Sequence, residues 1–304
     1  MDSVMHHDWF AAAFLDALGR PEHATLAALM NELTDAATHK RIARTAASDG
    51  RPLPTITQGE IEDGVYGAIG RGFATVYEKI VTFHFPPKGD NAGPCGEPDW
   101  TRFEALAAEY RSRVGSTAVE ETPLLELARL GIEGHRAMDR HSHQGFRGTM
   151  DKRNARKRPD CFAWFMPDRV ATGHSEFRYL PDRIESKWER NGVWVDNRLR
   201  FIDAGMRLWN ALLPEPASQV MKINDNGVVR CAYVNDHDRC PPSLLMLSQC
   251  KDSKHLRRLA REFYARIAEH ELPSFKVPSF DSPEWRAFCT AAREVFANVQ
   301  GGTQ

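Results

Sequence analysis

The segment LGIEGHRAMDRHSHQGF, residues 130–146, places His135, Asp139, His141 and His143 within nine residues of a chain that has only twelve histidines. On a helix, residues four apart advance by about 400 degrees, so His135, Asp139 and His143 form one slowly drifting row. His141, about 200 degrees from Asp139, points elsewhere. A carboxylate with an imidazole one turn to either side suits a divalent metal, because imidazole nitrogen and carboxylate oxygen both ligate zinc. It also suits two metals, since one carboxylate can bridge them. The competing reading is a helix whose polar residues are merely solvated or hydrogen-bonded.

Further ligand types stand in suggestive settings. His84 lies in FHFPP, between aromatic residues at a predicted helix end, and His174 lies in TGHSEFRYLPD with Glu176 and Asp182 close behind. Asp35 falls in NELTDAATH, a largely apolar helical stretch where an uncompensated carboxylate is costly and a metal would compensate it.

The succession HHDWF, NELTD, FHFPP, GHRAMDRHSHQGF and GHSEFRYLPD, across roughly residues 5 to 210, resembles an uncharacterised bacterial family that looks related to the zinc-dependent phospholipase C and single-strand nuclease superfamily. The resemblance implies a mostly helical fold holding up to three zinc ions at the bottom of a cleft, where they activate water against a phosphoester. Carried over by motif, Asp35, His84, His135 and Asp139 are expected to hold one zinc, with Asp139 bridging. His143 and His174 are expected at a second. The superfamily completes that site with a carboxylate one turn after the histidine; Arg178 stands there instead, so Glu176 or Asp182 must supply it. The superfamily's third zinc uses a processed N-terminal amine and a nearby histidine. His7 and Asp8, with His6, are the replacement candidates, and Phe10 stands where that histidine would follow.

With two or three metals, bound water is acidified and charge on phosphate is stabilised, while Asp35 could also orient the water. Arg147, Lys152, Arg153, Arg156 and Lys157 could hold the remaining phosphate oxygens, or form a solvated basic face. Phe146, Trp164 and Phe165 could line a base or lipid pocket, or pack in the core. The expected function is a zinc-dependent hydrolase, with catalytic Asp35 and Asp139 and a small-molecule or phosphoester substrate; nucleic acid enters only as substrate. The alternatives are a helical di-iron oxygenase, because these ligands do not separate zinc from iron, and a degenerate metal-binding regulatory module. Cys231, His237, Cys240, Cys250 and His255 could form a structural zinc site, but their spacings fit no standard pattern and the default reading is buried free cysteines. No GxSxG setting supports a nucleophilic serine.

The elements that must position these residues are mainly helical. Forty basic against forty-one acidic residues give a net charge of −1, so no global field favours nucleic acid or membrane. No apolar run approaches the ~20 residues of a membrane span, and the acidic, histidine-bearing start is unlike a secretory signal, which predicts a cytoplasmic chain. Helical periodicity predicts segments at 8–18, 21–39, 57–80, 100–114 and from Thr122 and Pro123 through the histidine row. Residues 151–196 lose that periodicity and read as a long basic, aromatic loop. Helix resumes at Asp196, a hairpin forms around Asn226 and Gly227, and two helices close the chain, one capped by Ser253 and one opened by Ser282 and Pro283. The expected architecture is a mainly α, phospholipase C/nuclease-like bundle with long loops. Residues 1–215 form the helical metal-binding domain, and residues 216–304 a C-terminal extension, with a small hairpin, packed on it.

Overall fold

A computed structural model describes residues 5–36, 82–83, 99–116, 123–143, 146, 150–151, 171–172, 180–190, 193–213, 221–223, 229–231 and 241–301. Its architecture is mainly helical. A π-helical turn, Met5–Trp9, leads into α1 (Phe10–Leu18) and α2 (Pro21–Ala36). Then come α3 (Thr101–Ser116), α4 (Leu124–His143), α5 (Asn197–Leu212), α6 (Pro242–Gln249), α7 (Ser253–Ala268) and α8 (Pro283–Gly301). The expected helix at 57–80 lies outside the described residues.

Helix α1 ends where the sequence predicts. Gly19 takes φ 63°, the left-handed conformation that costs glycine no steric penalty, and its N–H caps Leu15 O at 2.8 Å. Pro21 then opens α2, where its missing N–H costs nothing. Phe10 and Phe14, one turn apart, stack at 4.7 Å and are fully buried. They sit in the larger core with Trp9, Trp100, Phe103, Tyr110, Leu127 and Leu130. Each such side chain contributes about 1.5–3 kcal/mol of apolar burial. A second core joins α2 (Met30, Leu33), α4 (Ala128, Ile132) and α8 (Trp285, Phe288, Ala292, Val295). Helix α4 therefore lies between α2 and α8, and its polar row is held from both sides.

The contact between α2 and α4 is unusually close at Gly131. A Cβ there would stand 2.6 Å from the Ala27 carbonyl oxygen and 2.6 Å from Met30 Cβ, so any larger residue separates the helices. Asn31 fixes the register by donating from Nδ2 to Gly131 O at 3.2 Å. The next residue of α2 is Glu32, and the next turn of α4 carries His135.

Three local expectations are corrected. The segment expected to be irregular, 151–196, contains an antiparallel pair, β3 (Lys187–Arg190) and β4 (Val193–Asp196), with Trp188 opposite Val195, besides a short pairing of β1 (Met150–Asp151) with β2 (Ala171–Thr172). Residues between β3 and β4 read Asn191-Gly192, a hairpin dipeptide, and Trp188 packs on Phe146 just past α4. Second, α6 adds a helix before the two expected at the C-terminus. Its N-terminus is fixed by a distant acid, Asp16, which accepts from Ser243 N–H at 2.9 Å and Ser243 O–H at 2.6 Å. Third, the cap of α7 is Asp252, which accepts from His255 N–H at 2.8 Å, while Ser253 donates to Glu185. Ser282 caps α8 as expected, and Asp196, where helix was expected to resume, caps α5 by accepting from Arg198 N–H. The predicted later hairpin pairs β5 (Met221–Ile223) with β6 (Val229–Cys231). In the C-terminal region, α7 packs on the π-helical turn and α1, and α8 packs on α4.

Candidate metal centre

The expected row exists. Asp139 Oδ2 lies 3.1 Å from His135 Nε2 and 3.7 Å from His143 Nδ1, so one carboxylate oxygen sits between two imidazoles on a single face of α4. All three side chains are buried, His135 completely. Beyond the helix end, Asp182 Oδ1 stands 3.5 Å from His143 Nε2. Of the two carboxylates that could replace the one missing at Arg178, Asp182 is thus brought to His143, and Glu176 lies outside the described residues. So do His84 and His174.

From α2, Asp35 is half-buried and its charge acts on His135. Burial opposes the imidazolium form of His135, yet Asp139, Asp35 and Glu32 together hold its pKa above the ordinary value. Glu32 did not figure among the sequence candidates. Burial, then the neighbouring Asp35, push its carboxyl up to about 7, and only His7 and His135 among the stronger influences oppose that rise. Its Oε2 is shielded from solvent and has no hydrogen-bond partner among the described residues. The missed signal was the spacing in NELTD, because Glu32 and Asp35 are three residues apart and share a helix face.

At the π-helical turn, His7 and Asp8 are buried side by side, His7 Nδ1 3.3 Å from Asp8 Oδ1. Asp8 is engaged by two cations of α7: Arg261 Nη1 meets Oδ1 at 3.0 Å and Arg257 Nε meets Oδ2 at 3.0 Å. Burial raises the Asp8 pKa, but His7 and the two guanidinium groups outweigh it and the carboxyl stays below its usual value. The side chain of His6 lies outside the described set.

His141 points away from the row, as its position on the helix predicts. It accepts from Trp100 Nε1–H at 3.0 Å and lies 3.6 Å from Asp203, tying α4 to α3 and α5. Burial, with Arg207 and Arg200 nearby, pushes its pKa down to about 3, so it is a neutral structural imidazole. Phe146 is core. Trp164, Phe165 and the basic residues 147 and 152–157 lie outside the described residues. In the cysteine-rich stretch, Cys250 is buried and donates to Leu247 O at 3.5 Å, while His255 Nδ1 accepts from Lys251 N–H.

The donor types on α4, at the end of α2 and at Asp182 fit a divalent cation chemically: two imidazoles, the carboxylates of Asp139, Asp35 and Asp182, and a buried Glu32 oxygen without a hydrogen bond among the described residues. Among the described residues, no three such side chains already stand in a metal-holding arrangement. No helix among them is long and apolar enough to cross a membrane.

Residues 1–300 match the model of a family of unknown function, DUF6765, and the chain belongs to that family. No curated protein and no solved structure matches it.

Proposed function

We propose that this protein is a zinc-dependent hydrolase acting on a phosphoester. The observation that carries the reading is the buried row His135, Asp139 and His143, set against the acidic end of α2 where Glu32 is pushed up to about 7. Buried carboxylates in excess of buried cations are costly, and a divalent metal removes that cost while using the imidazoles as ligands. In this reading His135, Asp139 and Asp35, with His84, hold one ion. His143 and Asp182, with His174, hold a second, with Glu176 the alternative carboxylate. His7 is a candidate for a third. The choice of phosphoester rests on the likeness of the sequence motifs to the phospholipase C and nuclease superfamily.

Bound metal supplies Lewis acidity toward a phosphoryl oxygen and acidifies a water near neutral pH. The chain's own groups do the rest. Asp139 Oδ2 orients His135 and His143, and Asp35 in this reading orients the attacking water. Glu32, raised to about 7, exchanges between acid and carboxylate near neutrality, so its ionised form can accept a proton from water at Oε2 and the acid so formed can give it to the leaving oxygen. The test is hydrolysis of p-nitrophenyl phosphate and bis(p-nitrophenyl) phosphate by zinc-reconstituted protein. Turnover that is abolished by chelation and falls at least ~100-fold in Asp139→Asn supports the reading. Zinc-loaded protein that cleaves neither ester contradicts it, and iron with oxygen consumption would replace it by the oxygenase.

A further inference from the structure

Helix α7 belongs to the C-terminal region, yet it delivers two guanidinium groups to Asp8, beside His7. Arg257 and Arg261, four residues apart, share a face of α7 and divide the two oxygens of Asp8 between them. The two arginines are employed differently. Arg261 is fully engaged, bonding Asp8 with one terminal nitrogen and Leu272 O at 2.6 Å with the other. Arg257 spends only Nε on Asp8, its terminal nitrogens make no hydrogen bond among the described residues, and its side chain is 47% exposed. A guanidinium anchored at Nε with its outer edge open to solvent is preorganised to receive two oxygens of an oxyanion.

Its position is relevant to the centre. Asp8 touches His7, the charges of both act on Glu32 as does that of His135, and the π-helical turn that carries them packs on α2 as well as on α7. The Phe275 and His7 rings meet edge to face at 6.1 Å, so the same C-terminal region that carries Arg257 also packs on His7. Asp8 thereby acquires a role other than ligation: it holds the arginine pair.

We propose that Arg257, anchored by Asp8, is a phosphate-recognition residue, binding the non-bridging oxygens of a phosphoryl group beside His7. As a choice of substrate chemistry this rests on the hydrolase reading above, whereas phosphate binding itself can be measured without turnover. The C-terminal region then completes the site instead of merely covering the helical domain.

The experiment is calorimetric titration of inorganic phosphate into the full-length protein, as wild type, Arg257→Gln and Arg257→Lys, with zinc counted in each sample. Arg257 is half exposed, and Asp8 keeps Arg261 and His7, so the variants should fold. The expected result is phosphate affinity weakened at least ~10-fold in Arg257→Gln and partly retained in Arg257→Lys, which keeps the charge but loses the fork, at unchanged zinc content. Equal affinity in all three, or no phosphate binding by zinc-loaded wild type, overturns the role of Arg257 and leaves the metal reading standing. Protein that holds no zinc yet binds phosphate through Arg257 supports the anion site and removes the hydrolase reading.

Discussion

Helix α4 carries buried charge on two sides, and the two are completed differently. On one side Glu133 meets Arg102 at 2.8 Å and Arg136 at 2.5 Å, and Arg136 in turn donates to Thr82 O at 2.8 Å. Guanidinium groups of the chain itself close that network. On the other side, His135, Asp139 and His143 face an α2 end where Glu32 is influenced by two carboxylates and two histidines. One helix thus bears an acid ion-paired with two guanidinium groups of the chain and a histidine–aspartate row set against further acids. The difference points to a structural role for the first and a cation-binding role for the second.

The largest effect should come from breaking the side with the two guanidinium partners. Glu133→Gln leaves Arg136 buried without its charge partner and should cost about 3 kcal/mol or more, equally with and without metal, as read by denaturant unfolding. A loss that depended on zinc would place Glu133 in the wrong network. Next in size, Gly131→Ala puts a methyl group against the α2 backbone and should cost about 1–3 kcal/mol. Because it pushes α2 from α4, it should also weaken zinc binding, and an affinity unchanged from wild type would mean that the α2 acids do not contribute.

The smallest effect tests the acid-rich side through pH. The Glu32 carboxyl is raised from 4.5 to about 7 in the folded chain, so between those values the native state holds a proton that the unfolded state has lost. Metal-free protein should therefore lose stability as pH rises from about 4.5 through 7, and Glu32→Gln should flatten that slope. With zinc bound the same substitution should destabilise. The same sign in both states would remove Glu32 from the centre.

Much of this was legible in the sequence, for a physical reason. The row on α4 follows from helical spacing alone, as does the departure of His141, because side-chain direction inside a regular helix is fixed by residue number. The ends of α1, α5 and α8 were equally readable, since Gly19, Asp196 and Ser282 act locally. What could not be read depended on partners distant in the chain. Asp16 fixes α6 from 227 positions away, and the pairing of Asp8 with Arg257 and Arg261 links opposite ends of the sequence. Glu32 lay between these cases: its face was predictable, but its burial beside His135 depends on the close approach at Gly131. The β3–β4 hairpin was overlooked although Asn191-Gly192 announced it, because aromatic and basic residues around it suggested a loop.

The claim that everything else depends on is that a metal completes the acid-rich side of α4. Elemental analysis of untagged protein for zinc, iron and manganese, wild type beside Asp139→Asn, tests it most directly. The wild type is expected to hold about two or three zinc ions per chain and the variant to lose most of them. No bound metal after reconstitution, or equal metal in both proteins, would contradict it.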